Sequence, residues 1–172
     1  AGKVYSTIAS GLTISSILTG AGSSTSLSVR GGGLLLLGGA NTFAGGVSVS
    51  GTGGIILGAS SNVTAQPIAA GTGATVASGL VITTGPVGTG ALTMGAGTSL
   101  LVNDADRTIV NPITFQGNVS FDNTSVGTTR TMTLSGVISY TGGGALTLGV
   151  NNPNLTVTMT GPVSGLGSIT SF

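Results

Sequence analysis

The amino-acid sequence predicts an all-β fold, a parallel β-helix or β-solenoid that forms a single domain over residues 1–172. Three observations predict it. Short apolar runs recur along the chain and end at glycine, asparagine or serine. Within many runs, apolar and hydroxyl residues alternate with the period of two that characterises a β-strand. Glycine accounts for 33 residues and charged residues for only 4% of the chain, a composition that suits tightly stacked coils.

The strand candidates are rich in Val, Ile, Leu and Thr, which are residue types that favour strands. Glycine interrupts the chain well before the roughly ten residues that an ordinary helix needs, so no helix is expected. In chain order, the candidates are GLTIS, LSVRG, VSVSG, GIILG, GLVITTG, ALTMG, TSLLV, NPITF, NVSF, TMTLSG, ALTLG and LTVTMTG.

The alternation is clearest in the run LTVTMTG (155–161), where three threonines share one face and Leu, Val and Met share the other. The run TMTL (131–134) alternates in the same way. We expect the apolar face to point inward and the hydroxyl face outward. A β-sandwich, the alternative fold, would normally carry Lys, Glu and Arg on its outer faces and clear Asn-Gly turns.

Recurrence along the chain favours the solenoid over the sandwich. The apolar runs of LLLLGG and GIILGA end at Leu37 and Leu57, and GALTMGAG (90–97) is nearly repeated further on as GALTLGV (144–150). A repeat spacing of roughly 20 residues, like that between the two leucines, suggests coils. Coils stack about 4.8 Å apart, so that like residues form ladders. Small residues suit the corners, because glycine lets neighbouring backbones approach closely.

The uncharged stretch LLLLGGANTFAGGVSVSGTGGIILG is interpreted as two stacked coils. We expect Leu34–Leu37 and Ile55–Leu57 to form core rungs, Asn41 to lie at a turn and Phe43 to pack inside. The glycines of this stretch are expected at the corners.

Composition excludes several classes of function. The charged residues balance to +1, which gives no reason to expect nucleic acid or an anionic membrane as a partner. No apolar run reaches the roughly 18 residues of a membrane-spanning helix, so membrane insertion is not expected. His, Cys and Trp are absent and no Glu occurs, which removes Ser-His-Asp and Cys-His nucleophiles and His- or Cys-based zinc sites. No catalytic, cofactor-binding or metal-binding residue is therefore predicted, and the chain is not expected to be an enzyme.

Three carboxylates, Asp104, Asp106 and Asp122, form the strongest candidate for a chemical site. Clustered Asp residues serve in enzymes that cleave polysaccharides. The favoured interpretation is structural, since NDAD (103–106) has turn-forming residues and Arg107 is a nearby ionic partner. A calcium site is equally disfavoured, because calcium needs six or more oxygen ligands.

The Thr-x-Thr rows at 131–133 and 156–158 raise a second possibility, a threonine array that orders water and binds ice. The favoured interpretation is an ordinary outer face of β-branched residues. The pattern is clear in only these two rows, whereas ice binding calls for one row in coil after coil.

The segments that span residues 31–139 resemble the autotransporter-associated β-strand repeat. The resemblance lies in the core GANTFAGG (39–46) after the leucine run, in GPVGTGALTMGAGTSLLV (85–102), in RTIVNPITFQGNVSF (107–121) and in the closing strand TLSGVIS (133–139). It implies a right-handed parallel β-helix exported to a bacterial surface. The chain departs from long members of the family in carrying about one full repeat, so we expect either a fragment or a small protein built from the same solenoid.

The ends of the predicted solenoid suggest what the protein does. Open coil ends expose unpaired backbone groups, and neither end of the sequence shows a capping helix or a run of charges. We therefore expect an extracellular or cell-surface structural subunit that polymerises head to tail with copies of itself, its signal peptide already removed or absent from the fragment. The alternatives are an adhesin passenger fragment that binds glycans or proteins and, ranked lower, an ice-binding protein or a polysaccharide-active enzyme.

Overall fold

A computed structural model describes residues 4–7, 11–20, 22, 25–65, 75–76, 80–125, 127–165 and 169–171. These residues form twenty strands, β1 to β20, and no helix. In chain order the strands are Val4–Thr7, Gly11–Ile14, Leu27–Arg30, Leu34–Leu37, Val47–Ser50, Gly54–Leu57, Asn62–Ala65, Thr75–Val76, Leu80–Thr84, Leu92–Met94, Thr98–Val102, Arg107–Ile109, Ile113–Phe115, Val119–Asn123, Arg130–Leu134, Ile138–Tyr140, Leu146–Val150, Leu155–Met159, Val163–Ser164 and Ile169–Ser171.

Three parallel sheets build the molecule. Sheet 1 contains seven strands in the order β1-β3-β5-β10-β13-β16-β19, and sheet 2 contains seven in the order β2-β4-β6-β11-β14-β17-β20. Sheet 3 contains β12-β15-β18. Because the chain alternates between sheets and every pairing in them is parallel, it winds through seven coils, and the predicted parallel β-solenoid is confirmed. The coils consist of β1–β2, β3–β4, β5–β6, β10–β11–β12, β13–β14–β15, β16–β17–β18 and β19–β20.

The alternation of residues positions the core as expected. In β5, Val47 and Val49 are buried and Ser48 and Ser50 are exposed. Residues at equivalent positions in successive coils stack directly above one another, so the inward column of sheet 1 runs through Leu27, Val47, Leu92, Ile113 and Ile138. One continuous hydrophobic cluster, from Leu27 in the second coil to Leu155 in the sixth, fills the space between the sheets.

The predicted pair of coils at residues 34–58 is present, with one correction. Leu37 pairs with Leu57, which confirms that the interval between them is one coil. Leu35, Leu37, Ile55 and Leu57 are fully buried, whereas Leu34, Leu36 and Ile56 are half-buried on the outer side, because successive residues of a strand point to opposite faces. The run Leu34–Leu37 is therefore half core rung and half outer surface.

The two predicted turn and packing residues of this stretch take part in stacking the coils. Phe43 lies in the core cluster. Asn41 is fully buried, and its Oδ1 accepts a 2.8 Å hydrogen bond from the backbone N–H of Leu18 while its Nδ2 donates a 2.7 Å bond to the carbonyl of Pro86. The side chain of Asn41 thus ties its own coil to the segments on both sides of it.

A corner between sheets 1 and 2 shows why glycine is required. Gly51 follows β5 with φ of 96°, a left-handed conformation that costs other residues about 1–2 kcal/mol. A Cβ at this position would lie 2.7 Å from the carbonyl oxygen of Gly31, which has the same left-handed conformation in the coil before. Stacked glycines therefore let two successive corners approach within backbone contact.

Two features differ from a uniform stack. An antiparallel sheet, β7-β9-β8, is inserted between the third and fourth coils.

The near-copies at 90–97 and 144–150 do not occupy equivalent positions in their coils, because their strands β10 and β17 belong to sheet 1 and sheet 2 respectively. Their spacing therefore does not mark a structural repeat, and similar apolar-hydroxyl alternation serves both sheets.

Candidate functional site: the two ends of the coil stack

The strands at the two ends of the stack have one parallel neighbour each among the described residues. At one end, β1 pairs with β3 and β2 pairs with β4. At the other end, β19 pairs with β16 and β20 pairs with β17. A strand in this position presents a row of backbone N–H and C=O groups that can pair with another chain.

The first coil exposes part of the core cross-section. Leu12 stands in the column of the fully buried Leu35, yet its side chain is 41% exposed. Ile17, in the segment after β2, is 60% exposed, whereas Ile14 and Leu18 are partly buried against the core cluster. Apolar side chains that an additional coil would cover are thus exposed at this end of the stack.

The last coils expose the core in a corresponding way. Val163 of β19 stands in the column of Ile138 and is 45% exposed, although Ile138 itself is buried. Val150 of β17 stands in the column of Phe121 and is 39% exposed. The column that carries Ile138 and Val163 on sheet 1 therefore continues to the end of the stack in an exposed valine.

The two ends match one another in geometry. Each presents one strand of sheet 1 and one strand of sheet 2, and within each sheet the strands at both ends run in the same direction. The four end strands read VYST, GLTI, VS and ITS, and none contains a charged residue or a proline, the residues that commonly block edge pairing. Lys3, the only charge near the start of the sequence, lies outside the described residues.

The three candidate carboxylates each have a local partner. Asp104 forms an ion pair of 2.7 Å with Arg107, while Asp106 accepts a hydrogen bond from the backbone N–H of Thr131 and Asp122 accepts one from that of Asn123. Within the described ranges, no group of three or more His, Cys, Asp or Glu side chains is arranged to hold a metal ion. Asp104 and Asp122 thus contact residues close in sequence, whereas Asp106 contacts the next coil.

The ion pair of Asp104 is expected to contribute little to stability. The side chain of Arg107 is only 14% exposed, but its Nε also donates to the carbonyl of Leu57. The side chain of Asp104 is 73% exposed, so solvent screens the pair, and such pairs contribute about 0–1 kcal/mol. We expect Asp104→Asn to change the free energy of unfolding by about 0.5 kcal/mol or less, measured by urea denaturation. Asp106→Asn is the matched control, because it retains the oxygen that accepts from Thr131. A loss above about 2 kcal/mol for Asp104→Asn alone would contradict a surface turn.

The fold defines the class of protein as a parallel β-solenoid, and its described end strands carry no charged residue. Comparison of the chain with protein-family models, with curated proteins and with solved structures finds no match. The resemblance of residues 31–139 to the autotransporter-associated repeat thus stays a prediction. The described part of the chain contains no helix long and apolar enough to cross a membrane.

Proposed function

We propose that the protein is a structural subunit that polymerises head to tail, with β1 and β2 of one copy pairing onto β19 and β20 of the next. The single observation that carries this proposal is the match between the two ends, which present the same two sheets with the same strand direction. In such a contact, sheets 1 and 2 continue across the junction at the usual spacing of about 4.8 Å.

Two contributions favour the contact. Parallel pairing satisfies backbone groups at the strand edges, as in β-augmentation. Stacking also covers Leu12 at one end and Val150 and Val163 at the other, and apolar surface contributes about 25 cal/mol for each Å² removed from water. The two surfaces of the contact are different, so the contact is heterologous. Because each copy stacks along the coil axis of the one before, repetition produces a filament rather than a closed ring.

The proposed setting is extracellular or on a cell surface, in a fibre or sheath. The absence of Cys, the low charge and the resemblance of residues 31–139 to surface passenger repeats support this setting. No catalytic residue is needed, because the function resides in the backbone edges and the shape of the stack.

Polymerisation is tested with the purified 172-residue chain by light scattering across a concentration series and by negative-stain electron microscopy. We expect filaments whose length increases with concentration. Val163→Lys places an ammonium group in an apolar column at the junction, so we expect the concentration needed for assembly to rise about tenfold or more.

The matched control is Val137→Lys, which adds the same charge at a side chain that is exposed just before β16 rather than at an end strand. This variant is expected to assemble as the unaltered chain does. An unaltered chain that stays a monodisperse monomer at high concentration would refute the proposal, as would equal behaviour of the two lysine variants.

A further inference from the structure

The outer face of sheet 3 carries a regular array of threonines that polymerisation does not use. We call it the threonine face, and it consists of Thr108, Thr131, Thr133, Thr156 and Thr158. Strand alternation directs these side chains outward, because Ile109, Met132, Leu134 and Leu155 on the same strands are buried. The two Thr-x-Thr rows that were separate in the sequence are thus brought onto one surface.

The array is in register in two directions. Thr131 pairs with Thr156, and Thr108, Thr133 and Thr158 form a second column across all three strands. Neighbouring strands are about 4.8 Å apart, and alternate residues of a strand are about 6.7 Å apart. These two repeats are close to spacings between water oxygens on the faces of hexagonal ice.

The hydroxyl groups of this face differ from those on the other two sheets. On sheet 1, the hydroxyls of Thr114 and Ser139 lie 3.1 Å apart and bond to each other. On sheet 2, those of Ser99 and Ser120 pair at 2.7 Å. Among the described residues, no hydroxyl of the threonine face has a protein partner, so all five are available to water.

The chemistry of the face favours water over other ligands. Asp106 is the one charged residue in the outward rows, at the corner beside Thr131. The three strands contain no aromatic residue, and aromatic rings are what normally stack on sugars. Each threonine presents a methyl group beside a hydroxyl, so the surface offers hydrogen bonds at fixed points separated by apolar contacts.

A packed interior holds the array in place. Ile109 and Leu134 are fully buried directly behind it, and β15 pairs with β18 along five consecutive residues without a bulge. Threonine itself has few rotamers because it is branched at Cβ. The positions of the hydroxyls are therefore set before any ligand arrives, which lowers the entropic cost of binding.

We propose that the threonine face binds ice. A growing ice surface is a lattice of water oxygens, and this face meets it with hydroxyls and methyls at matching repeats. Water held over the methyl groups and bonded to the hydroxyls joins the lattice, which anchors the protein and hinders further growth at that point. The inference does not depend on polymerisation, because sheet 3 takes no part in the proposed junction between β1–β2 and β19–β20.

The test measures inhibition of ice recrystallisation and ice-crystal morphology with the purified full chain. We expect the unaltered protein to keep ice grains small and to shape single crystals. Thr133→Tyr projects a bulky ring from the middle of the face, and we expect it to raise the protein concentration needed for inhibition about tenfold or more. Tyrosine is well tolerated on outer strand positions, so the variant is expected to fold.

Thr93→Tyr is the matched control, because it makes the same change on the outer face of sheet 1. It is expected to retain inhibition. Unrestricted ice growth with the unaltered protein would overturn the proposal, as would equal loss in the two tyrosine variants or binding to insoluble polysaccharide in place of ice. Val163→Lys separates the two proposals, since it is expected to block filaments and leave ice binding in place.

Discussion

Replacing Phe115 with alanine is expected to lower the free energy of unfolding by about 3–5 kcal/mol. Phe115 is fully buried in the fifth coil, in an inward column between Met94 and Tyr140. Its ring also meets the ring of Phe121 edge to face, with centroids 6.3 Å apart and planes at 81°. The loss combines the free energy gained by burying the ring on folding, the cost of the cavity left between coils and about 0.5–1.5 kcal/mol from the aromatic pair.

Urea denaturation followed by circular dichroism measures this effect. Val137→Ala is the control, because the side chain of Val137 is partly exposed and its truncation is expected to cost about 1 kcal/mol or less. An effect of Phe115→Ala as small as that of the control would mean that the centre of the stack is not packed as described.

Replacing Asn111 with alanine is expected to lower the free energy of unfolding by about 2–4 kcal/mol. Asn111 is fully buried, and its Nδ2 donates hydrogen bonds of 3.1 Å to the carbonyl of Gly88 and 2.7 Å to that of Gly90. Its Oδ1 accepts a 2.7 Å bond from the hydroxyl of Ser61. Alanine leaves buried carbonyls without these donors, and an unsatisfied buried polar group costs about 1–3 kcal/mol.

The control for this variant is Asn151→Ala, at an exposed asparagine after β17. We expect it to change stability by about 0.5 kcal/mol or less. Equal stability of the two variants in thermal and urea unfolding would contradict the claim that the hydrogen bonds of Asn111 stabilise the contact between neighbouring coils.

The strand pattern was predictable because it is local. Each strand candidate named from the sequence coincides with an observed strand, for example LTVTMTG with Leu155–Met159. Alternation of apolar and hydroxyl residues determines which face of a strand avoids water, and glycine follows the last residue of many strands, for example Gly51 after β5. The interval between Leu37 and Leu57 is also present in the structure, as a direct pair.

Features that depend on non-local register were not predictable. The near-copies at 90–97 and 144–150 lie on different sheets, because both sheets accept the same alternation. The strand Arg107–Ile109 begins with a charged residue and is absent from the strand candidates, although it opens sheet 3. The sequence pattern also did not predict the inserted antiparallel sheet, since its strands resemble those of the stack.

The threonine rows illustrate the same division. Sequence alone identified Thr-x-Thr at 131–133 and 156–158 but gave no reason to place the two rows side by side. Their alignment follows from the lengths of the intervening corners, which bring Thr131 against Thr156 and Thr133 against Thr158. Thr108 joins the column through a strand that the sequence pattern did not indicate.

The sequence by itself determined the all-β class, the coil as the repeating unit and the scarcity of side chains that can act in catalysis. These features depend on composition and on a period of two residues. Only the tertiary structure decided which residues stack on which, that Asn41 and Asn111 brace the coils from within, and which apolar side chains lie exposed at the ends. The physical reason is that strands of one pattern pair equally well in many registers. The register is chosen by the packing of the whole stack, through its buried rings, amides and glycine corners.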